Sequence, residues 1–207
     1  MGHKPLLAVV VALAAPSVAA SQPCSPSAPP CSAAELRDSE RLAAAELVTV
    51  ADGSRGERAR IAYRDAGSRF LLVWQTYFAD ACRGKDAACI GGEEVLYNAA
   101  RAFQAAHDVD RASAVRGTLF DPQFHLERTA LAHKALRQEG LAQQALTEYA
   151  KAADLFERFS KAAPREEEAA PALLDAIVLR LAVHDRPAAE HNAEQWSKLY
   201  AAKSPAD

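Results

Sequence analysis

The chain of 207 residues has no apolar run of the ~20 residues that a membrane-spanning helix needs. Its longest, Leu6–Ala15, is about half that length. The spaced motifs of common catalytic sites are missing too. There is no G-x-S-x-G turn, no H-E-x-x-H helix, no G-x-x-x-x-G-K-[ST] or G-x-G-x-x-G loop, and no C-x-x-C-H haem attachment. The histidines after the first are His107, His125, His133, His184 and His191. Pro187 separates His184 from His191, and His125 and His133 lie about two helical turns apart, so no pair has metal-ligand spacing. The expectation is no catalytic residue, no metal and no cofactor. No convincing period-two alternation marks a β-sheet, although the apolar run Phe70–Trp74 has strand-favouring residues. The net charge of −3 comes without a basic stripe along the chain, which argues against nucleic acid as a partner. Asn98 is followed by Ala99-Ala100 and Asn192 by Ala193-Glu194, so neither begins an Asn-x-Ser/Thr glycosylation sequon.

What is present begins with an export signal. His3 and Lys4 precede the apolar run, Pro16 ends it, and Ser17-Val18-Ala19-Ala20 offer small residues to a peptidase. Residues 1–20 are expected to be a signal peptide cut after Ala19 or Ala20, which leaves no transmembrane span and places the mature chain in the periplasm or outside the cell. The missing sequons lean towards a bacterial periplasm.

Four cysteines, at 24, 31, 82 and 89, form two pairs with the same spacing. Behind an export signal an even count reads as disulfides, and three pairings are possible. The local choice is Cys24–Cys31 and Cys82–Cys89. A zinc site would call for closer pairs. The second bridge would close a loop containing Gly84, Lys85 and Asp86, too polar to be fixed by burial.

Residues 21–31 (SQPCSPSAPPC) read as a Pro/Ser-rich tail. From Ser32 to residue 202 the chain reads as helical, with 203–207 as a short tail. Ser32-Ala33-Ala34-Glu35 has the form of a capping box. The helix it opens is expected to turn Leu36, Leu42, Ala43, Leu47 and Val50 to one face. A second helix, about 57–80, would bury Ala66, Phe70, Val73 and Tyr77. Further pairs are expected at 92–106 with 109–120, 124–140 with 142–162, and 168–183 with 187–202. His107 and His184 are expected to meet the last carbonyls of their helices.

Residues 97–112 (YNAARAFQAAHDVDRA) align without gaps on residues 174–189 (LDAIVLRLAVHDRPAA). Residues 149–164 (YAKAADLFERFSKAAP) supply an intervening copy, and Ala112, Ala152 and Ala189 correspond. A recurrence of this length marks a stacked array. The pattern resembles a degenerate tetratricopeptide repeat. Ala99, Ala100 and Phe103 match first-helix positions, Ala112 and Ala152 match the crossing alanine, and Phe156, Phe159 and Pro164 match the rest of the second helix. The resemblance covers 93–202 fairly and 33–81 weakly; Arg180 stands where an aromatic is usual, and the period exceeds 34. It implies an all-α fold of antiparallel helix pairs stacked as a short solenoid, the alternative being a plain helical bundle.

The resemblance also implies a groove lined by the first helix of each pair. By position its residues are Tyr97, Asn98, Arg101 and Gln104 from one repeat, and Lys134, Arg137 and Gln138 from the next. Such a lining would suit an acidic segment or a carboxylate terminus of a protein or peptide partner. The expected function is thus non-enzymatic binding in the cell envelope. A second expectation is self-association through the last helix, where Trp196, Leu199 and Tyr200 would be exposed unless covered. Carboxylate runs such as Glu93-Glu94 and Glu166–Glu168 fit helix first turns. The arginines at 55, 58, 60, 64 and 69, interleaved with Glu57 and Asp65, read as a solvated face.

Overall fold

A computed structural model describes residues 31–201, and every regular element among them is helical. The helices pack in adjacent pairs along the sequence. The first pair is α1 (Ala33–Asp52) and α2 (Gly56–Val73). One π-helical turn, Trp74–Phe78, carries α2 into the short α3 (Ala79–Arg83). The second pair is α4 (Gly92–Ala105) and α5 (Val109–Leu119), the third α6 (Ala130–Ala145) and α7 (Tyr149–Ala162), the fourth α8 (Ala169–Ala182) and α9 (Arg186–Tyr200). Successive pairs meet through α2 and α4, α4 and α6, α5 and α6, and α7 and α8.

Residue type explains these elements. Ser32 caps α1 reciprocally: its Oγ accepts from the Glu35 N–H at 3.2 Å, and Glu35 Oε2 accepts from the Ser32 N–H at 2.7 Å. Alanine at the crossings lets helix backbones approach, and Ala112, Ala152 and Ala189 are all buried. Leu96, Leu136 and Leu173 are buried at one shared position of α4, α6 and α8. Two apolar clusters result. One, around Phe70, Trp74, Phe78, Leu96 and Phe103, joins the first two pairs; the other, around Phe156, Phe159, Leu173 and Tyr200, joins the last two.

The turns inside the last three pairs repeat bond for bond. His107, Thr147 and His184 each take a positive φ, 60–62°. Around His107, the N–H groups of Ala106, His107 and Asp108 donate to the carbonyls of Ala102, Gln104 and Phe103. Those of Leu146, Thr147 and Glu148, and of Val183, His184 and Asp185, donate to the corresponding carbonyls. These left-handed caps use up the orphan carbonyls of the first helix in each pair. The backbone N–H of each histidine makes this contact; no ring–carbonyl bond is present among the described residues. Asp108 and Asp185 then cap α5 and α9, accepting from the N–H groups of Arg111 and Ala188.

Three local expectations need correction. In α1 the buried residues are Ala44 and Ala51, while Leu36, Leu42 and Val50 are exposed. Large apolar residues stand on more than one side of this helix, and α2 packs where the small ones permit close approach. In the third pair, the break expected at 140–142 falls at 146–148. Gly140 lies inside α6 facing Phe156, and residues 122–129 form a short 3₁₀ turn and loop that bury Phe124 and Leu126. Along α9, Tyr200 is buried and Trp196 half-buried in the chain's own core, leaving Leu199 exposed.

Cys82 and Cys89 are bridged, as the local pairing anticipates. The second expected bridge involves Cys24, which lies outside the described residues, as do the expected signal segment and most of both tails. No described helix is long and apolar enough to cross a membrane.

Candidate functional site

Helices α4 and α6 lie side by side, and their matching positions carry the residues expected to form a groove. Tyr97 and Asn98 are half-buried on α4, and Arg101 and Gln104 are exposed; on α6, Lys134 is exposed and Arg137 and Gln138 are half-buried. Gln138 Nε2 donates to the Tyr97 hydroxyl oxygen at 2.9 Å, which ties the two helices together across the face. Four of the seven residues, Tyr97, Lys134, Arg137 and Gln138, line one cavity of about 410 Å³. Phe159 of α7 also contributes to its wall, with Glu166 and Glu168 from the loop before α8.

The other three residues stand elsewhere. Asn98 and Arg101 do not line this cavity. Arg101 is close enough to Tyr63 of α2 to act on its phenol electrostatically. That phenol is nevertheless shifted upward, chiefly because it donates a hydrogen bond to Asp52. Gln104 bonds to the Arg116 guanidinium with its amide oxygen. The lining is therefore less basic than a reading of first helices alone implies, because two carboxylates enter from a loop.

Behind this face lies a polar network that repeat matching did not bring out. Arg116 and Glu139 are buried, and Arg116 Nη1 donates to Glu139 Oε2 at 3.0 Å. Ser113 and Gln143 also donate to Glu139. At the position of Glu139, the neighbouring pairs have Ala99 and Ala176; at that of Arg116, the next pair has Phe156. A charged residue in a small-residue column is a signal that the sequence did contain.

A second network joins α7, α8 and α9. Arg180 Nε donates to Glu157 Oε1 at 2.8 Å, its other nitrogens reach Asp154 and Asp185, and Asn192 Nδ2 donates to Glu157 at 2.6 Å. The hydrogen bonds that Arg180 donates to Glu157 are the main cause shifting its guanidinium pKa upward. Arg180 thus fills with an ion-pair hub the place where Phe103 packs in the second pair.

Among the described residues, no group of three His, Cys, Asp or Glu side chains is placed to hold a metal ion. No protein-family model, curated protein or solved structure matches this chain.

Proposed function

We propose that the chain is an exported, tetratricopeptide-like repeat protein whose α4–α6 face binds a protein or peptide partner in the cell envelope, with no chemistry of its own. The observation that carries this reading is the shared cavity. Tyr97, Lys134, Arg137 and Gln138, chosen by repeat position, line a single concavity between two first helices. Its contents suit an extended segment: two aromatic rings, amide and cationic donors, and the Glu166 and Glu168 acceptors for a backbone or a basic side chain. Repetition of the three left-handed turns supports the repeat reading, since one turn geometry recurs at matching positions. The Cys82–Cys89 bridge supports an oxidising compartment.

The test is capture from native envelope extract with the chain 21–207, beside the Tyr97→Ala, Lys134→Glu double variant and an Arg101→Glu control. Loss of a partner in the double variant, with retention in the control, is the expected outcome. A partner held equally by all three proteins would remove the α4–α6 face from the binding event.

One observation favours self-association as a second reading. Leu174, Val178 and Leu181 are 44%, 64% and 53% exposed, and their spacing puts them on one face of α8. A mass that rises with concentration, and stays monomeric in Val178→Glu, would support it.

A further inference from the structure

A second concavity among the described residues lies between the second helices of the last two pairs, away from the α4–α6 face. We infer that this cleft between α7 and α9 is a binding site for a small amphipathic organic anion. Its volume is about 800 Å³, within the range of sites that hold small molecules.

The cleft has a cause in the repeat. At the end of α5, the Arg158 guanidinium of α7 lies over the Phe120 ring, 5.1 Å from its centre, and occupies the space between them. One repeat further on, the positions of Phe120 and Arg158 are taken by Ser160 and Gln195. Both line the cleft, and Ser160 turns away to donate to the Ala169 carbonyl at 2.8 Å. The filling pair is replaced by two residues that leave the gap open.

The lining divides into committed and uncommitted groups. Asp154 and Glu157 are held by Arg180 and are therefore partnered already. Arg158 and Lys161 line the same cleft, and neither has a carboxylate within ion-pair distance among the described residues. Arg158 lies over the Phe120 ring, and its N–H groups donate to no described residue, which leaves them available to a ligand. Asn192, only 5% exposed, donates to Glu157 but accepts no hydrogen bond from any described residue. Val115 and Leu155 stand at its position in the preceding pairs, so a polar amide has entered a column that is otherwise apolar core. Leu173 and Leu199 give the cleft an apolar part of its wall. A ligand matching this lining carries one anionic group for Arg158 and Lys161, a short apolar body for the leucines, and a donor or water for the Asn192 oxygen.

Hexanoate, hexanamide and inorganic phosphate separate the components. Each is titrated into the chain 21–207 and followed by backbone-amide NMR shifts. Hexanoate is expected to saturate, with shifts confined to α7, α9 and their flanking turns. Hexanamide and phosphate are expected to bind at least about tenfold more weakly, because each lacks one of the two contacts. Lys161→Glu, an exposed change that should not disturb the core, is expected to weaken hexanoate at least about tenfold, and Arg158→Gln should act in the same direction. Lys134→Glu, on the other face, should leave it unchanged, so this site and the α4–α6 groove can fail independently. Equal binding of hexanoate and hexanamide, phosphate binding as tightly as hexanoate, shifts centred on other helices, or absence of saturation would each overturn the proposal.

Discussion

Arg116 of α5 and Glu139 of α6 form a buried ion pair, 3.0 Å apart, with side chains only 1% and 5% exposed. The pair joins the second helix pair to the third where neighbouring layers use alanine and phenylalanine. Glu139 is saturated by Ser113, Gln143 and Arg116, but Arg116 Nε has no hydrogen-bond partner among the described residues. A buried pair of this kind adds little to stability relative to well-packed apolar side chains, and is costly to break from one side.

Removing one partner should therefore be worse than removing both. Glu139→Ala alone leaves a guanidinium buried without its counter-ion and should lower unfolding free energy by about 3–5 kcal/mol. The double change Arg116→Phe, Glu139→Ala copies the residues that neighbouring repeats use and should recover most of that loss. Urea unfolding of the three proteins decides it: a double variant no better than Glu139→Ala would show that the pair is not simply replacing apolar packing.

Glycines within the helices should respond oppositely to the same substitution. Gly140 has Phe156 against it, and a Cβ built there lies 2.6 Å from the ring. Gly140→Ala should destabilise by about 1–3 kcal/mol through overpacking, despite the better helix propensity of alanine. Gly117, inside α5, has no packing neighbour within 4 Å of the same position among the described residues. Gly117→Ala should stabilise by about 0.5–1 kcal/mol. Thermal unfolding of the two variants gives the sign directly, and a stabilised Gly140→Ala would show that Phe156 moves aside at little cost.

The same glycine shows where sequence reading loses its grip. Helix pairing was legible because turn residues are chemically marked in the second and fourth pairs, at His107-Asp108 and His184-Asp185. The third turn uses Leu146-Thr147-Glu148 with the same backbone bonds, and a threonine at positive φ leaves no local signal. The break expected at 140–142 falls beside Gly140, and glycine in a helix interior and glycine at a boundary look alike without knowledge of what packs on it. Four of the expected groove residues meet at one cavity because repeat position fixes helix face. Glu166 and Glu168 were not foreseeable in that way, since the path of a loop depends on the packing of α7 on α8. Gln104 was readable as surface, but Arg116 is long enough to reach it from inside.

Opening the Cys82–Cys89 bridge should cost about 2.5 kcal/mol, the chain entropy of closing so short a loop. The cost should be felt first around Trp74, because Gly92 sits tightly against both the Trp74 ring and Cys82 Sγ. Cys82→Ser, Cys89→Ser should lower the melting temperature and speed hydrogen exchange at the start of α4. Exchange at α8 should change only as far as global stability does. Uniform acceleration with no excess near residue 92 would mean that the bridge is not a local clamp.

Asp108 links stability to pH. It caps α5, and its Oδ2 accepts from Arg111 Nε at 2.7 Å, with Arg64 nearby at 3.8 Å. The Arg111 hydrogen bond is the main cause holding this carboxyl below its ordinary value of 3.8. A carboxylate with a depressed folded pKa contributes stability that is fully present above the unfolded value and is lost as pH falls through the folded one. Asp108→Asn retains a capping oxygen but cannot titrate. Wild type should therefore exceed the variant in stability near neutrality, and the gap should narrow as acid protonates Asp108, starting near pH 4 and continuing below it. Urea midpoints measured for both proteins from pH 7 down to about pH 2.5 test this, a range that brackets the ordinary carboxylate pKa. Parallel curves over that interval would mean that the Asp108–Arg111 contact is too solvated to couple protonation to folding.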